Sequence, residues 1–157
     1  MENNQEALRQ AKAYAFLLLK FRLRSRNELY NRLKKKKFPE IIINQALSFL
    51  EERNFINDRD FAARWAQQRL SRPFGIRRIK QELRLKGIED KIINSLLADI
   101  KDKYCEEELV RKITKEKLDK LKDVEPLKAK RRVYAYLLRR GFSSDIVMDS
   151  LRQLYER

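Results

Sequence analysis

A pattern written three times governs what this chain can fold into. Leu29, Ile79 and Val133 fall in one column, and Leu33, Leu83 and Leu137 fall in the next, four residues on. Four residues later stand Lys37, Gly87 and Gly141, followed by Phe38, Ile88 and Phe142. The register continues through Ile42, Ile92 and Ile146, then Leu47, Leu97 and Leu151, then Leu50, Ile100 and Leu154. The offsets are 50 and 54 residues (29 to 79, 79 to 133), without internal gaps. Any amphipathic helix places leucines at i and i+4, but agreement across all these columns goes beyond that. Self-similarity at such a period marks units that bury their apolar faces by stacking on their neighbours.

Each unit reads as three helices. Tyr14, Leu17, Leu18 and Phe21 make one apolar face of a first helix. Ser25-Arg26-Asn27-Glu28 is a capping box before Leu29 and Leu33. Pro39 suits a first helical position ahead of Ile42, Ala46, Leu47 and Leu50. Asn57 or Asp58 can cap a helix bearing Phe61, Ala62, Trp65 and Leu70. Arg72-Pro73-Phe74-Gly75 breaks it, and further helices run from Ile76 to Lys86, Ile88 to Tyr104, Glu106 to Leu121, Pro126 to Gly141 and Ser143 to Tyr155. The expected fold is all-α, with three tandem three-helix, helix-turn-helix-like repeats over residues 1–57, 58–103 and 104–157. Stacked in order, they would form an elongated, curved molecule. Three Gly and three Pro are too few for the turns of an all-β fold.

Composition removes several chemistries. The chain has 157 residues and no His, so Ser-His-Asp and Cys-His catalysis and the usual zinc sites are not available. Three Gly spread along the chain cannot make a phosphate-cradling loop. Asp58, and Glu106 to Glu108, are explained as a helix cap and a first turn favoured by the helix dipole, not as metal ligands. No enzyme activity and no cofactor are expected. One cysteine, Cys105, cannot form an internal disulfide, which fits a reducing, cytoplasmic setting. It is expected to be a small buried or semi-buried residue. No secretory signal opens the sequence, and the longest apolar stretch, Ala13 to Leu19, is far short of a membrane span. Nor is membrane-surface binding expected, because the apolar faces are needed between repeats.

What stands out is charge: 38 Lys and Arg against 23 Asp and Glu, a net +15. The cations are grouped. Lys20 to Lys37 holds nine and one acid (Glu28), Arg69 to Gly87 seven and one (Glu82), and Lys128 to Arg140 six and none. Candidates for a binding surface are Arg22, Arg24, Arg26 and Lys34, Lys35, Lys36 and Lys37 in the first repeat. In the middle repeat they are Arg69, Arg72, Arg77, Arg78, Lys80, Arg84 and Lys86. In the third they are Lys128, Lys130, Arg131, Arg132, Arg139 and Arg140. Such side chains neutralise phosphates with release of counterions, and Arg can also fork onto a carboxylate. The bland alternative is a solvated face. The Arg72–Gly75 loop is either a plain turn or a stiff partner contact with Arg72 and Phe74 exposed. Trp65 is expected in the core. Tyr134 and Tyr136 are two apart and cannot share a helix face, so one can be core and one could stack on bases.

The middle repeat resembles the RecX family. The carrying residues are Asp58-x-x-Phe61-Ala62, Arg69, and Gly75-x-x-x-Ile79-x-x-Glu82-Leu83-x-x-Lys86-Gly87-Ile88. The tripled three-helix unit, the length and the basicity agree, and the resemblance runs from about Ala7 to Tyr155. Lys37, where the other repeats have glycine, departs from the pattern. The resemblance implies a bacterial regulator of the RecA recombinase. It would bind along the groove of a RecA filament on single-stranded DNA and inhibit RecA ATPase, strand exchange and coprotease activity in homologous recombination, DNA repair and the SOS response. Partners would be the filament and single-stranded DNA, with double-stranded DNA as a further candidate, and the chain is expected to be a monomer. The competing reading is a sequence-independent DNA-binding module built on the helix-turn-helix-like repeats. A third is a scaffold for an acidic protein.

Overall fold

The computed structural model describes residues 2–155. The described residues form nine helices and no strand: α1 (Glu2–Phe21), α2 (Arg26–Lys35), α3 (Glu40–Glu52), α4 (Asp58–Leu70), α5 (Ile76–Leu85), α6 (Asp90–Lys101), α7 (Glu106–Asp119), α8 (Pro126–Arg139) and α9 (Ser144–Tyr155). The all-α fold follows the sequence pattern helix for helix. Packing gathers the chain into two compact units. One runs to Trp65 and takes in Leu83–Ile93; the other holds Ala66–Glu82 and the chain from Asn94. Helices α4, α5 and α6 therefore each lend residues to both.

In the first unit, Leu29 and Leu33 of α2 and Ile43, Leu47 and Leu50 of α3 are at most 1% exposed. Truncating any one of them to Ala would cost about 2–5 kcal/mol. α1 meets them with Ala11 and Ala15, both fully buried, flanked by Ala7, Leu8, Tyr14, Leu18 and Leu19. This corrects the expected face: Leu17 is 52% and Phe21 77% exposed. Alanines let the helix backbones approach closely, so the buried stripe is marked by small residues and not by large ones. A similar one-residue shift holds in the third helices. Ile43, Ile93 and Val147 are buried in every repeat, whereas Ile92 and Ile146 are only partly so. In the second unit Val110 and Ile113 of α7 pack with Val133 and Leu137 of α8, Phe142, and Val147 and Leu151 of α9.

Local chemistry sets the helix ends. Ser25 and Glu28 form the expected capping box. Pro39 is the N-cap and not the first helical residue, with Glu40 beginning α3. Asn57 caps α4, its side chain accepting from the Arg59 and Asp60 amides. The column Lys37, Gly87 and Gly141 is left-handed throughout, at φ 64°, 74° and 88°. Glycine adopts this conformation without cost, whereas Lys37 carries a Cβ penalty of roughly 1 kcal/mol.

Two contacts recur between consecutive repeats. Ser25 Oγ donates to the Lys86 carbonyl at 2.6 Å, and the Gly75 N–H donates to the Arg140 carbonyl at 2.8 Å. Ser25 and Gly75 share a repeat position, as do Lys86 and Arg140. A Cβ on Gly75 would lie 2.2 Å from the Gly141 carbonyl oxygen, so glycine is required there. The other contact is a carboxylate cap. Asp58, first residue of α4, accepts the Arg26 amide of α2 at 2.8 Å, and Glu106, first residue of α7, accepts the Ile76 amide of α5 at 2.9 Å. Each satisfies an orphan amide at a helix N-terminus. Burial pushes both carboxyls upward from their ordinary values, against the pull of the bond they accept.

Candidate functional site

The candidate basic residues divide by whether a carboxylate of the chain already answers them. In the first unit the hub is Glu28. Arg22 lies 2.9 Å and Lys86 2.7 Å from its carboxylate, which also accepts the Ser25 amide. Burial alone would raise this carboxyl, but hydrogen bonds from the two cations and their charges hold it at about 2. Arg26 pairs with Glu51 at 3.1 Å and Arg84 with Asp90 at 2.8 Å. Arg24 is turned inward, donating to the Leu18 carbonyl. The Lys86 amine also stands 4.8 Å from the Trp65 ring, which stacks on Phe61. Trp65 is half-buried where full burial was expected. What carries no ion pair among the described residues is the end of α2: Lys34, Lys35, Lys36 and the following Lys37, all exposed. Lys34 and Lys36 reach over Tyr30 and Tyr14. Cations at a helix C-terminus also suit its dipole.

In the second unit the hub is Glu82. Arg69 lies 2.6 Å and Arg78 2.9 Å from it, and Arg78 also donates to the Arg139 carbonyl. These two guanidinium groups and that of Arg140 surround the Phe74 ring at 5.6, 4.4 and 4.8 Å from its centroid. This corrects the loop reading: Phe74 is 8% exposed, and only Arg72 of the pair faces solvent. Three cations stacked on one ring gain from its quadrupole and shield it from water. Arg72, Arg77, Arg131, Arg132 and Arg139 are exposed and Lys80 half-buried, with no ion pair among the described residues. Exposed Lys128 and half-buried Lys130 lie on the same helix α8.

A cleft of about 280 Å³ gathers some of these with residues that the sequence pattern did not single out. Lys117 and Lys120 of α7 face Arg132 and Arg139 of α8 across it, over Tyr136. The Lys117 amine lies 4.1 Å and the Arg140 guanidinium 5.2 Å from the Tyr136 centroid. No carboxylate lines this cleft. The signal in the sequence is the i, i+3 spacing of Lys117 and Lys120, outside the three basic blocks. Tyr134 lies elsewhere, against α9. Cys105 is exposed, not buried as expected, because it is the N-cap of α7 and points out of the junction. Among the described residues no helix is long and apolar enough to cross a membrane.

The three-helix pattern of this chain matches known domains in order. Residues 11–50 match the RecX first three-helix domain, residues 57–97 the second and residues 106–151 the third. The chain belongs to the RecX family. Among RecX relatives, the Regulatory protein RecX of Mycobacterium sp. (strain JLS) is 38% identical over 153 residues, covering 94% of this chain and 82% of that protein. The Regulatory protein RecX of Haemophilus influenzae (strain PittEE) is 33% identical over 141 residues, covering 89% and 91%. In fold, the chain is similar to the crystal structure of RecX from Lactobacillus salivarius, with a TM-score of 0.82 at 23% identity over 98% of this chain and 99% of that one. A RecX-type regulatory protein is thus the frame into which the sorted charges must fit.

Proposed function

We propose that this chain regulates the RecA recombinase by binding its filament on single-stranded DNA through the basic side chains that no carboxylate of the chain neutralises. These are Lys34, Lys35 and Lys36 in one unit and Arg72, Arg77, Lys80, Arg131, Arg132 and Arg139 in the other. That sorting carries the reading. Arg22, Arg26, Arg69, Arg78, Arg84 and Lys86 hold the fold together, whereas the remaining cations need carboxylates or phosphates from a partner. Binding across neighbouring RecA subunits hinders the movements that ATP hydrolysis and filament turnover need, so ATPase, strand exchange and coprotease activity fall. The chain acts as a cytoplasmic monomer without a cofactor.

The experiment is ATP hydrolysis by RecA on single-stranded DNA, with DNA in excess, as this protein is titrated in. A fall at substoichiometric amounts supports the proposal. Unchanged hydrolysis together with tight binding to naked DNA replaces it with the second reading, a sequence-independent DNA-binding module. The Lys117–Arg139 cleft favours that second reading, since four cations over a tyrosine suit a strand's phosphates and bases.

A further inference from the structure

An apolar groove of about 460 Å³ lies between α8 and α9. Leu127, Tyr134, Met148 and Leu151 line it, and Lys130 and Arg131 stand at its edge. Leu127 is 53% and Met148 47% exposed. Exposed methionine and aromatic surface with arginine at the rim is the make-up of an interface core, and methionine adapts to the shape it meets.

The repeat register says what kind of partner fits. Lys130 occupies the repeat position of Arg26 and of Ile76, by the same offsets of 54 and 50 residues. At those two positions the chain receives the acidic first residue of a helix: Asp58 of α4 on Arg26, and Glu106 of α7 on Ile76. In both, the attraction is between a carboxylate and the positive end of the second helix of a repeat. In the third repeat α8 begins a turn earlier, at Pro126, and is capped by Glu125. There the side chains of Lys130 and Arg131 supply positive charge where the other repeats present amides. Arg152 adds a third cation to the lining; it stands 3.6 Å from Asp149, but both are exposed and such a pair is weak.

We propose that this groove is a docking site for a helix of a partner protein with an acidic first turn and an apolar face. The helix would seat as α4 and α7 do at the corresponding positions, its carboxylates toward Lys130 and Arg131 and its apolar side chains between Leu127 and Met148. The proposal does not rest on RecA being the partner.

The probe is a fluorescein-labelled, hydrocarbon-stapled peptide with the α7 sequence Glu106–Asp119, whose first turn carries three glutamates. A matched peptide has those glutamates replaced by glutamine. Anisotropy is read against the full chain, against Met148→Glu and Leu127→Asp, and against Arg131→Glu, with far-UV helicity as the check on folding. Saturable binding that Met148→Glu, Leu127→Asp and the glutamine peptide each weaken by about tenfold or more supports the site. Binding indifferent to all of them, as when the peptide merely replaces the chain's own α7, overturns it. A concentration-dependent dimer in sedimentation that Met148→Glu abolishes, without peptide binding, also overturns it in favour of a second copy. If Met148→Glu loses helicity, the Arg131→Glu variant and the glutamine peptide decide.

Discussion

The Asp58 carboxylate and the Arg26 amide, 32 residues apart in sequence, lie 2.8 Å from each other. Asp58 sits in the first turn of α4, yet it caps α2, while Asn57 caps α4. Asp58→Asn keeps an acceptor oxygen and should be mild. Asp58→Ala leaves a helix-end amide unsatisfied and should cost about 1–2 kcal/mol. Denaturant unfolding of both variants separates these outcomes; equal costs would mean that the bond contributes nothing.

Glu28 gives stability a pH dependence. Its folded pKa, about 2, lies below the ordinary 4.5. A depressed carboxyl stabilises the fold above the unfolded pKa and loses that stabilisation as pH falls through the folded one. The window is therefore about 4.5 down to 2, and the shift corresponds to at most about 3 kcal/mol. Asp58 and Glu106, raised by burial, act in the opposite sense. Glu28→Gln should remove most of the acid-side loss while lowering stability at neutral pH. Unfolding curves across this range check it, and an unchanged slope would remove Glu28 from the account.

Lys37 holds a left-handed backbone at φ 64°. Lys37→Gly relieves that strain and should raise stability by about 0.5–1 kcal/mol, seen as a higher melting temperature. Gly141→Ala should do the reverse and more, because φ is 88° and the new Cβ would lie 2.3 Å from Arg78 Cβ.

Arg77 and Arg78 are neighbours in sequence with different work. Arg77 is exposed and carries no ion pair among the described residues, whereas Arg78 pairs with Glu82 and packs on Phe74. Arg77→Glu should weaken binding to RecA filaments or DNA and leave the melting temperature within about 2 °C, as an exposed substitution does. On naked DNA, removing one phosphate-binding cation reduces the salt slope by about 1. Arg78→Glu sets a carboxylate beside Glu82 and should destabilise the fold, by about 1–3 kcal/mol. Equal melting temperatures for the two variants would erase this distinction.

Helix positions and most core columns were legible in the sequence because apolar period and capping chemistry are local. Leu33, Leu83 and Leu137 are fully buried as the register requires. What was not legible depends on pairing across distance. Nothing in Arg69-to-Gly87 announces that Arg69 and Arg78 share Glu82, or that Phe74 is enclosed by guanidinium groups; a basic block reads the same whether its charges are spent or free. The α1 face was misplaced because Ala11 and Ala15 carry little hydrophobic weight, although they make the closest approach. Lys117 and Lys120 join α8 only through the packing of two helices, so charge blocks along the chain could not reveal them.

The cap that Asp58 places on α2 orders events during synthesis. When the ribosome has made residues 1–57, every apolar side chain of the first repeat exists, yet the Arg26 amide has no carboxylate to meet. It gains one only when the first residue of α4 emerges. The same delay recurs between Ile76 and Glu106. Each repeat is thus finished by the opening residue of its successor, and a nascent chain halted one codon early holds a unit with its last bond unmade.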